Sequence, residues 1–299
     1  MAVTVERRTV VTAEPGRPMS EILVIVLRYV IISALAILFF MPFILSFLGT
    51  FKTNREVVAF PPTFFPNAWL WQNWIDTWSV EISGAGSNVF ARWFFNSFWL
   101  AIVNMVTQLF FCSLAAYSFA RLRFPGKDLI FGFMIASMAI PGAITLIPGY
   151  VFYAKLGWIN TYLPLLIPSL VVPFGIFTLT QFFKSIPREL EEAAFMDGAS
   201  HFRVYSTIAL PLSRPALITL AILQFQGSWN NFIGPLLFLR DPRLLTLTVG
   251  LNYFKTQYAV EWSKILIGSM FNAIPVLIIF FIFNKYYMEG ASYSGLAGQ

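Results

Sequence analysis

The chain has 299 residues, of which 58% are hydrophobic and only 11% charged. Ordinary soluble domains carry roughly 25% charged residues, so this composition excludes a soluble globular protein and points to a bilayer. Its net charge is +6, and its single Cys and single His exclude an intramolecular disulfide, a Cys/His zinc site and the usual nucleophile–base pairs of catalysis.

Residues 1–21 are polar and contain Arg7, Arg8 and Arg17. The apolar run behind them is too long for a signal-peptide core, carries Arg28 and lacks a small-residue cleavage site, so 1–21 reads as a cytoplasmic tail. Six apolar runs follow, each about long enough to cross ~30 Å of hydrocarbon as a helix. They are Arg28–Leu48, Trp93–Phe119, Leu129–Tyr150, Leu163–Phe183, Pro215–Phe232 and Lys264–Phe283. Helices satisfy their own backbone polar groups in lipid, and the short alternating segments of a barrel are missing. The expected fold is therefore an all-α polytopic membrane protein with a six-helix domain over 22–290 and a tail over 291–299.

Positive charge orients the spans. Arg7, Arg8, Arg17, Arg28, Arg121, Arg123, Lys127, Lys184, Arg188, Arg203, Arg214 and Lys285 fall on one side, and the remaining Lys and Arg fall on the other. The short loop Arg121–Lys127 carries most weight, because short loops obey the positive-inside rule best. Both termini and the segment 187–211 are thereby cytoplasmic, and the loop 49–92 is external. In that loop Trp69, Trp71, Trp74 and Trp78 suit a short helix at the outer interface, as an aromatic belt. Pro141, Pro148, Pro164, Pro168, Pro173 and Pro275 interrupt the third, fourth and sixth spans. Such prolines are tolerated where neighbours satisfy the freed carbonyls.

The segment 187–211 is the stretch that lipid does not explain. Pro187 suits a helix start, and Glu189, Glu191 and Glu192 favour the positive end of its dipole. Leu190, Ala193 and Ala194 share one small apolar face. Gly198 is placed to end the helix with positive φ, and Ser200 to cap a second one carrying Phe202, Tyr205 and Ala209. The result is a helix–turn–helix between the fourth and fifth spans, standing off the bilayer. Three Glu beside Arg188 would repel anionic lipid, which favours a protein partner.

Polar residues inside spans tend to face an interior or a cavity. They are Asn96, Asn104, Gln108, Gln181, Gln224, Gln226, Asn230, Asn231 and Asn272. Asn104, Gln108, Gln224, Gln226, Asn230 and Asn231 are the candidate substrate path, since amides hydrogen-bond hydroxyls and rings cover the apolar face of a sugar. The same amides serve equally as helix–helix bonds worth about 0.6–2 kcal/mol. No span core holds an acidic residue, which argues against a proton or sodium relay. His201 reads as a surface residue and Cys112 as a small core residue.

Glu192-Ala193-Ala194, Gly198, Ile208, Leu210 and Pro211 stand in the order Glu-Ala-Ala, three residues, Gly, nine residues, Ile-x-Leu-Pro. This resembles the cytoplasmic signature of bacterial binding-protein-dependent ABC importer permeases. Ile140-Pro141, Thr145 to Pro148, Leu156-Gly157, Asn160 to Tyr162, Ser185 to Glu192, Trp229 to Phe232 and Leu239 to Pro242 resemble the carbohydrate-uptake branch, in particular the smaller permease of maltose/trehalose-type importers. The family commonly has an acid after Trp-Asn; here Asn231 takes its place.

The resemblance implies a bacterial inner-membrane subunit that pairs with a second, homologous permease, two cytoplasmic ATPase subunits and an external solute-binding protein, for a sugar-type substrate and no nucleic acid. The implied ATPase-coupling residues are Glu191, Glu192, Ala193, Ala194, Met196, Asp197, Gly198 and Ala199. There is no Gly-x-x-x-x-Gly-Lys-Ser/Thr run, so ATP and Mg would sit on partner subunits, with no cofactor or metal on this chain. Two other classes are weighed against it. A secondary transporter would need inverted repeats and midplane ionisable groups. A lipid-linked transferase would need convergent acids or His at an interface.

Overall fold

The structure, a computed structural model, describes residues 19–255 and 260–296. The expected tail 1–21 therefore lies almost wholly outside the described residues. The fold is mostly helical, and among the described residues two isolated bridges are the only β pairing.

The long helix α1 (Met19–Gly49) leads to two short ones, α2 (Asn54–Val57) and α3 (Gln72–Trp78). Next come α4 (Val89–Arg121), α5 (Lys127–Ser137), α6 (Gly142–Lys155), α7 (Leu163–Leu166) and α8 (Pro173–Ser185). The segment that stands apart in the sequence forms α9 (Arg188–Met196), α10 (His201–Val204), a π-helical turn (Tyr205–Ala209) and α11 (Leu210–Leu212). The chain continues through α12 (Arg214–Trp229), α13 (Ile233–Phe238), α14 (Leu247–Gly250), a 3-10 turn (Leu251–Phe254) and α15 (Trp262–Leu296).

Three described helices are long and apolar enough to cross a membrane, and up to five spans arise if each bent pair counts as one. The first, second and sixth runs are continuous, within α1, α4 and α15. The others are not. The third run divides into α5 and α6, bent by 101°. Pro141 lacks an N–H and stands in extended backbone as the N-cap of α6, so the helix restarts only at Gly142. The fourth run is α7, a stretch of turns and α8, which begins at Pro173, where the missing N–H is harmless. In the fifth, α12 meets α10–α11 at 77°. The helix α15 runs on to Leu296, into the segment expected as a tail from 291.

The core is built along α4. Towards its Val89 end, Phe90, Trp93 and Ala101 pack with Phe225 and Trp229 of α12 and with Leu247 and Val249 of α14. Towards its Arg121 end, Cys112, Ala116 and Tyr117 pack with Ile176, Leu179 and Phe183 of α8 and with Tyr205 and Ala209. Cys112 is a core residue, as its place in an apolar run suggests. By contrast, α5 and α6 contain no buried residue.

Three tryptophans of the loop 49–92 pack around a single ring. Phe51 is buried beneath Trp71, Trp69 and Trp74, at ring separations of 4.6, 5.2 and 6.1 Å. Trp74 Nε1 donates to Thr50 Oγ1 at 3.1 Å. A second latch is Asn160, whose Oδ1 accepts from the Arg240 and Asp241 backbone N–H groups at 3.0 and 2.9 Å. Its own N–H donates to Phe238 O at 2.7 Å, and its φ of 62° suits Asn better than most residues.

Trp93 is fully buried and its Nε1 donates to Pro242 O at 2.7 Å. A Cβ on Gly250 would lie 2.3 Å from its ring. Gly250→Ala is therefore expected to destabilise the protein by about 1–3 kcal/mol through overpacking. Gly227→Ala, in open helical space, should be neutral or stabilising by up to about 1 kcal/mol. Thermal unfolding of the two purified variants checks this; equal midpoints would contradict the packing account.

Candidate functional site

The segment 187–211 folds as its local chemistry dictates. Pro187 immediately precedes α9, and Glu189 and Glu191 lie in the first turn, where the helix dipole favours negative charge. Gly198 takes φ +81°, and the end is closed by Gly198 N to Phe195 O at 3.0 Å and Ala199 N to Ala194 O at 2.9 Å, a Schellman-type cap. Ser200 Oγ then accepts from Arg203 N at 3.3 Å and starts α10. Pro211 supplies no N–H to the turn behind it, and the backbone there widens to π geometry. Thr207 Oγ1 and Ser206 Oγ both donate to Arg203 O, at 2.7 and 3.1 Å.

The expected coupling residues divide into two groups. Glu192, Ala193, Met196, Asp197 and Gly198 are exposed, Ala194 and Ala199 half-buried, and Met196 is 88% exposed. Leu190, on the small apolar face, is 47% exposed. This face is not packed against the chain's own spans. Glu191 is the exception and turns inward, with its side chain 6% exposed, to meet Arg121 Nε at 2.7 Å. Arg121 Nη2 also donates to Ile186 O at 2.6 Å. Nothing in the run Glu189, Glu191, Glu192 distinguishes the middle acid, and Arg121 reads in sequence as a loop charge. His201 is exposed, with its ring 4.8 Å from that of Phe195.

The candidate path residues also part company. Asn104 is buried; its Nδ2 donates to Ser228 Oγ at 2.9 Å and its Oδ1 accepts from Ser169 Oγ. It thus joins α4 to α12 and to the turn after α7. Gln108 is buried beside α8 with no partner for its Oε1 among the described residues. Gln224 and Gln226 are half-buried on α12. Asn230 and Asn231 are exposed past its end; Asn230 Oδ1 accepts from Asn272 Nδ2 at 3.2 Å, and Asn231 Oδ1 from Gly234 N at 3.1 Å. Asn96 of α4 is tied to the Arg243 and Leu245 carbonyls. The structure therefore gathers Gln224, Gln226, Asn230 and Asn231 along α12 and its end, and it places Asn104 and Gln108 between helices.

A cleft of about 500 Å³ between α4, α12 and α15 is lined only by apolar side chains, among them Phe94, Met105, Phe225 and Pro275. Around the Asn160 latch the surface is polar and charged. Arg243 hydrogen-bonds and pairs with Asp241 at 2.7 Å, holding that carboxyl down at about 2 and raising the guanidinium. Among the described residues no group of His, Cys, Asp and Glu is arranged to hold a metal ion.

A family model described as "Binding-protein-dependent transport system inner membrane component" matches residues 108–287. The chain is 31% identical to the arabinooligosaccharides transport system permease protein AraQ of Bacillus subtilis, over 88% of this chain and 92% of that protein. It is 30% identical to the sn-glycerol-3-phosphate transport system permease protein UgpE of Pectobacterium atrosepticum, over 87% and 92%. It is 36% identical to the trehalose/maltose transport system permease protein MalG of Thermococcus litoralis, over 68% and 74%. In fold it is similar to a chain of a bacterial ABC transporter that imports the acidic polysaccharide alginate, with a TM-score of 0.75 at 21% identity, covering 92% of this chain and all of that one.

Asn104→Ala is expected to cost about 0.6–2 kcal/mol, as for other interhelical bonds in membranes. The double variant Asn104→Ala/Ser228→Ala should cost little more, because both residues share one bond. Unfolding midpoints of the single and double variants check this, and additive losses would show that Asn104 acts elsewhere.

Proposed function

The chain belongs to the family of binding-protein-dependent transport system inner membrane components, and from that membership we propose that it carries a sugar or related polyol through an ATP-driven importer by alternating access. It is a multi-pass permease subunit and not a catalyst; ATP hydrolysis falls to a separate subunit. The cargo class follows from the relatives, whose names specify arabinooligosaccharides, trehalose and maltose, and glycerol 3-phosphate. The absence of any acid from the span cores fits a motor powered by nucleotide rather than by an ion gradient.

The observation that carries the mechanism is the open face of α9. Leu190, Glu192, Ala193 and Met196 stand clear of the chain's own spans, and small side chains there permit close approach. We assign this face, with Ala194, Asp197, Gly198 and Ala199, to a cleft on a cytoplasmic ATPase, Glu192 giving the polar contact and Gly198 the bend. Closure of two such ATPases, loaded with ATP and Mg, would push α9 and rock the spans from inward-open to outward-open. In this reading both termini are cytoplasmic, a second permease completes the pathway, and an external solute-binding protein delivers substrate near the loop 49–92. Gln224, Gln226, Asn230 and Asn231 are the better candidates for touching substrate. They are half-buried or exposed, whereas Asn104 and Gln108 are buried between helices.

Glu192→Ala and Gly198→Asp test the coupling assignment. Each should lower ATPase co-purification and cut uptake by about tenfold or more, equivalent to about 1.4 kcal/mol of lost coupling. Unchanged co-purification and uptake in both would refute it. Collapse of the proton gradient should leave uptake intact while ATP lasts; loss of uptake on collapse would favour a secondary transporter.

A further inference from the structure

The helix α9 is held to the rest of the molecule in an unusual way. Its one buried side chain is a carboxylate, Glu191. That carboxylate meets Arg121, the last residue of α4, with both side chains 6% exposed. The same guanidinium donates to Ile186 O, just ahead of the Pro187 that opens α9. One side chain therefore fixes both the entry to α9 and its first turn. The helix ends reinforce the pair, since Arg121 sits at the negative end of α4 and Glu191 at the positive end of α9.

Stability alone does not explain such a pair. A buried ion pair is usually no better than two well-packed apolar side chains of the same volume. Apolar contacts, however, let a short helix slide or roll, whereas a guanidinium that meets the Glu191 carboxylate and also donates to Ile186 O holds the helix at two points. Beyond the Gly198 bend, Ser113 Oγ and Tyr205 Oη lie 2.7 Å apart, and Tyr117 packs against Tyr205 and Phe183 with ring centroids at 5.3 and 5.9 Å. Both arms of the helix–turn–helix are thereby tied to the same helix, α4, which also carries the core.

We propose that Arg121 and Glu191 are positioning residues that make α9 and α4 one rigid lever, so that a push on α9 moves α4 and the core packed on it. Glu191 acts from inside the permease and does not touch the ATPase. This inference rests on the assignment of α9 as the ATPase-docking helix.

The test uses the complete transporter, both permeases with the ATPase subunits, in proteoliposomes, and reads substrate taken up per ATP hydrolysed. Glu191→Gln should keep the ATPases bound and hydrolysing while uptake per ATP falls about tenfold, the equivalent of about 1.4 kcal/mol. The reversed pair Arg121→Glu/Glu191→Arg should recover most of that loss. Glu192→Gln, on the outward side, should instead weaken ATPase retention. Unchanged uptake per ATP in Glu191→Gln, or ATPase loss parallel to that of Glu192→Gln, would overturn the proposal. Were the Glu192 and Gly198 variants silent, the docking assignment itself would fail, independently of Arg121.

A second measurement leaves the pair intact. Spin labels at Ser118→Cys, in α4, and Glu189→Cys, in α9, should keep the same separation in the ATP-free and ATP-trapped transporter. A change of about one helical turn, roughly 5 Å, would show that α9 moves independently of α4 and would overturn the proposal.

Discussion

Hydrocarbon offers helices no hydrophobic reason to associate, so helices must meet through close packing and interhelical hydrogen bonds. In this protein one helix, α4, supplies most of both. Along its length it buries Val89, Phe90, Trp93, Ala101, Cys112, Ala116 and Tyr117. It makes polar links at Asn96, Asn104, Ser113 and Arg121. The elements α8, α12 and α14 and the helix–turn–helix are arranged around it. The two core clusters are two ends of a single post.

That arrangement explains why two kinds of short element sit where they do. At the Val89 end, α14 approaches so closely that only a glycine fits against Trp93. At the Arg121 end, α9 lies outside the core and is secured by charge, with its apolar face left open. The first contact is rigid and buried. The second leaves the apolar face of α9 exposed while tying its first turn to the end of α4.

The sequence made some of this legible and not the rest. Hydropathy located α1, α4 and α15 because each is one unbroken apolar run. It overstated the continuity of the third and fourth spans: the prolines were visible, but which of them breaks a helix is not written in the local sequence. Pro141 caps the start of α6 and Pro173 begins α8, whereas Pro148, Pro42 and Pro275 lie within their helices. The caps of the segment 187–211 could be read residue by residue, because Gly198 and Ser200 act on their immediate neighbours. Glu191 could not. Its distinction from Glu189 and Glu192 is a matter of which way each faces, and the deciding partner, Arg121, comes from another helix. Asn104 was legible as a polar residue in a span, but its partners Ser228 and Ser169 lie on segments whose packing no local pattern encodes.

The bare condition of α5 and α6 bears on how the subunit is made. Two apolar helices joined by a right-angled bend, with no side chain buried, are at ease only when another polypeptide or lipid covers them. Outside the bilayer that elbow would turn a broad apolar surface to water, a liability for aggregation. The chain therefore has to reach lipid before this stretch is left uncovered, which ties its folding to its insertion.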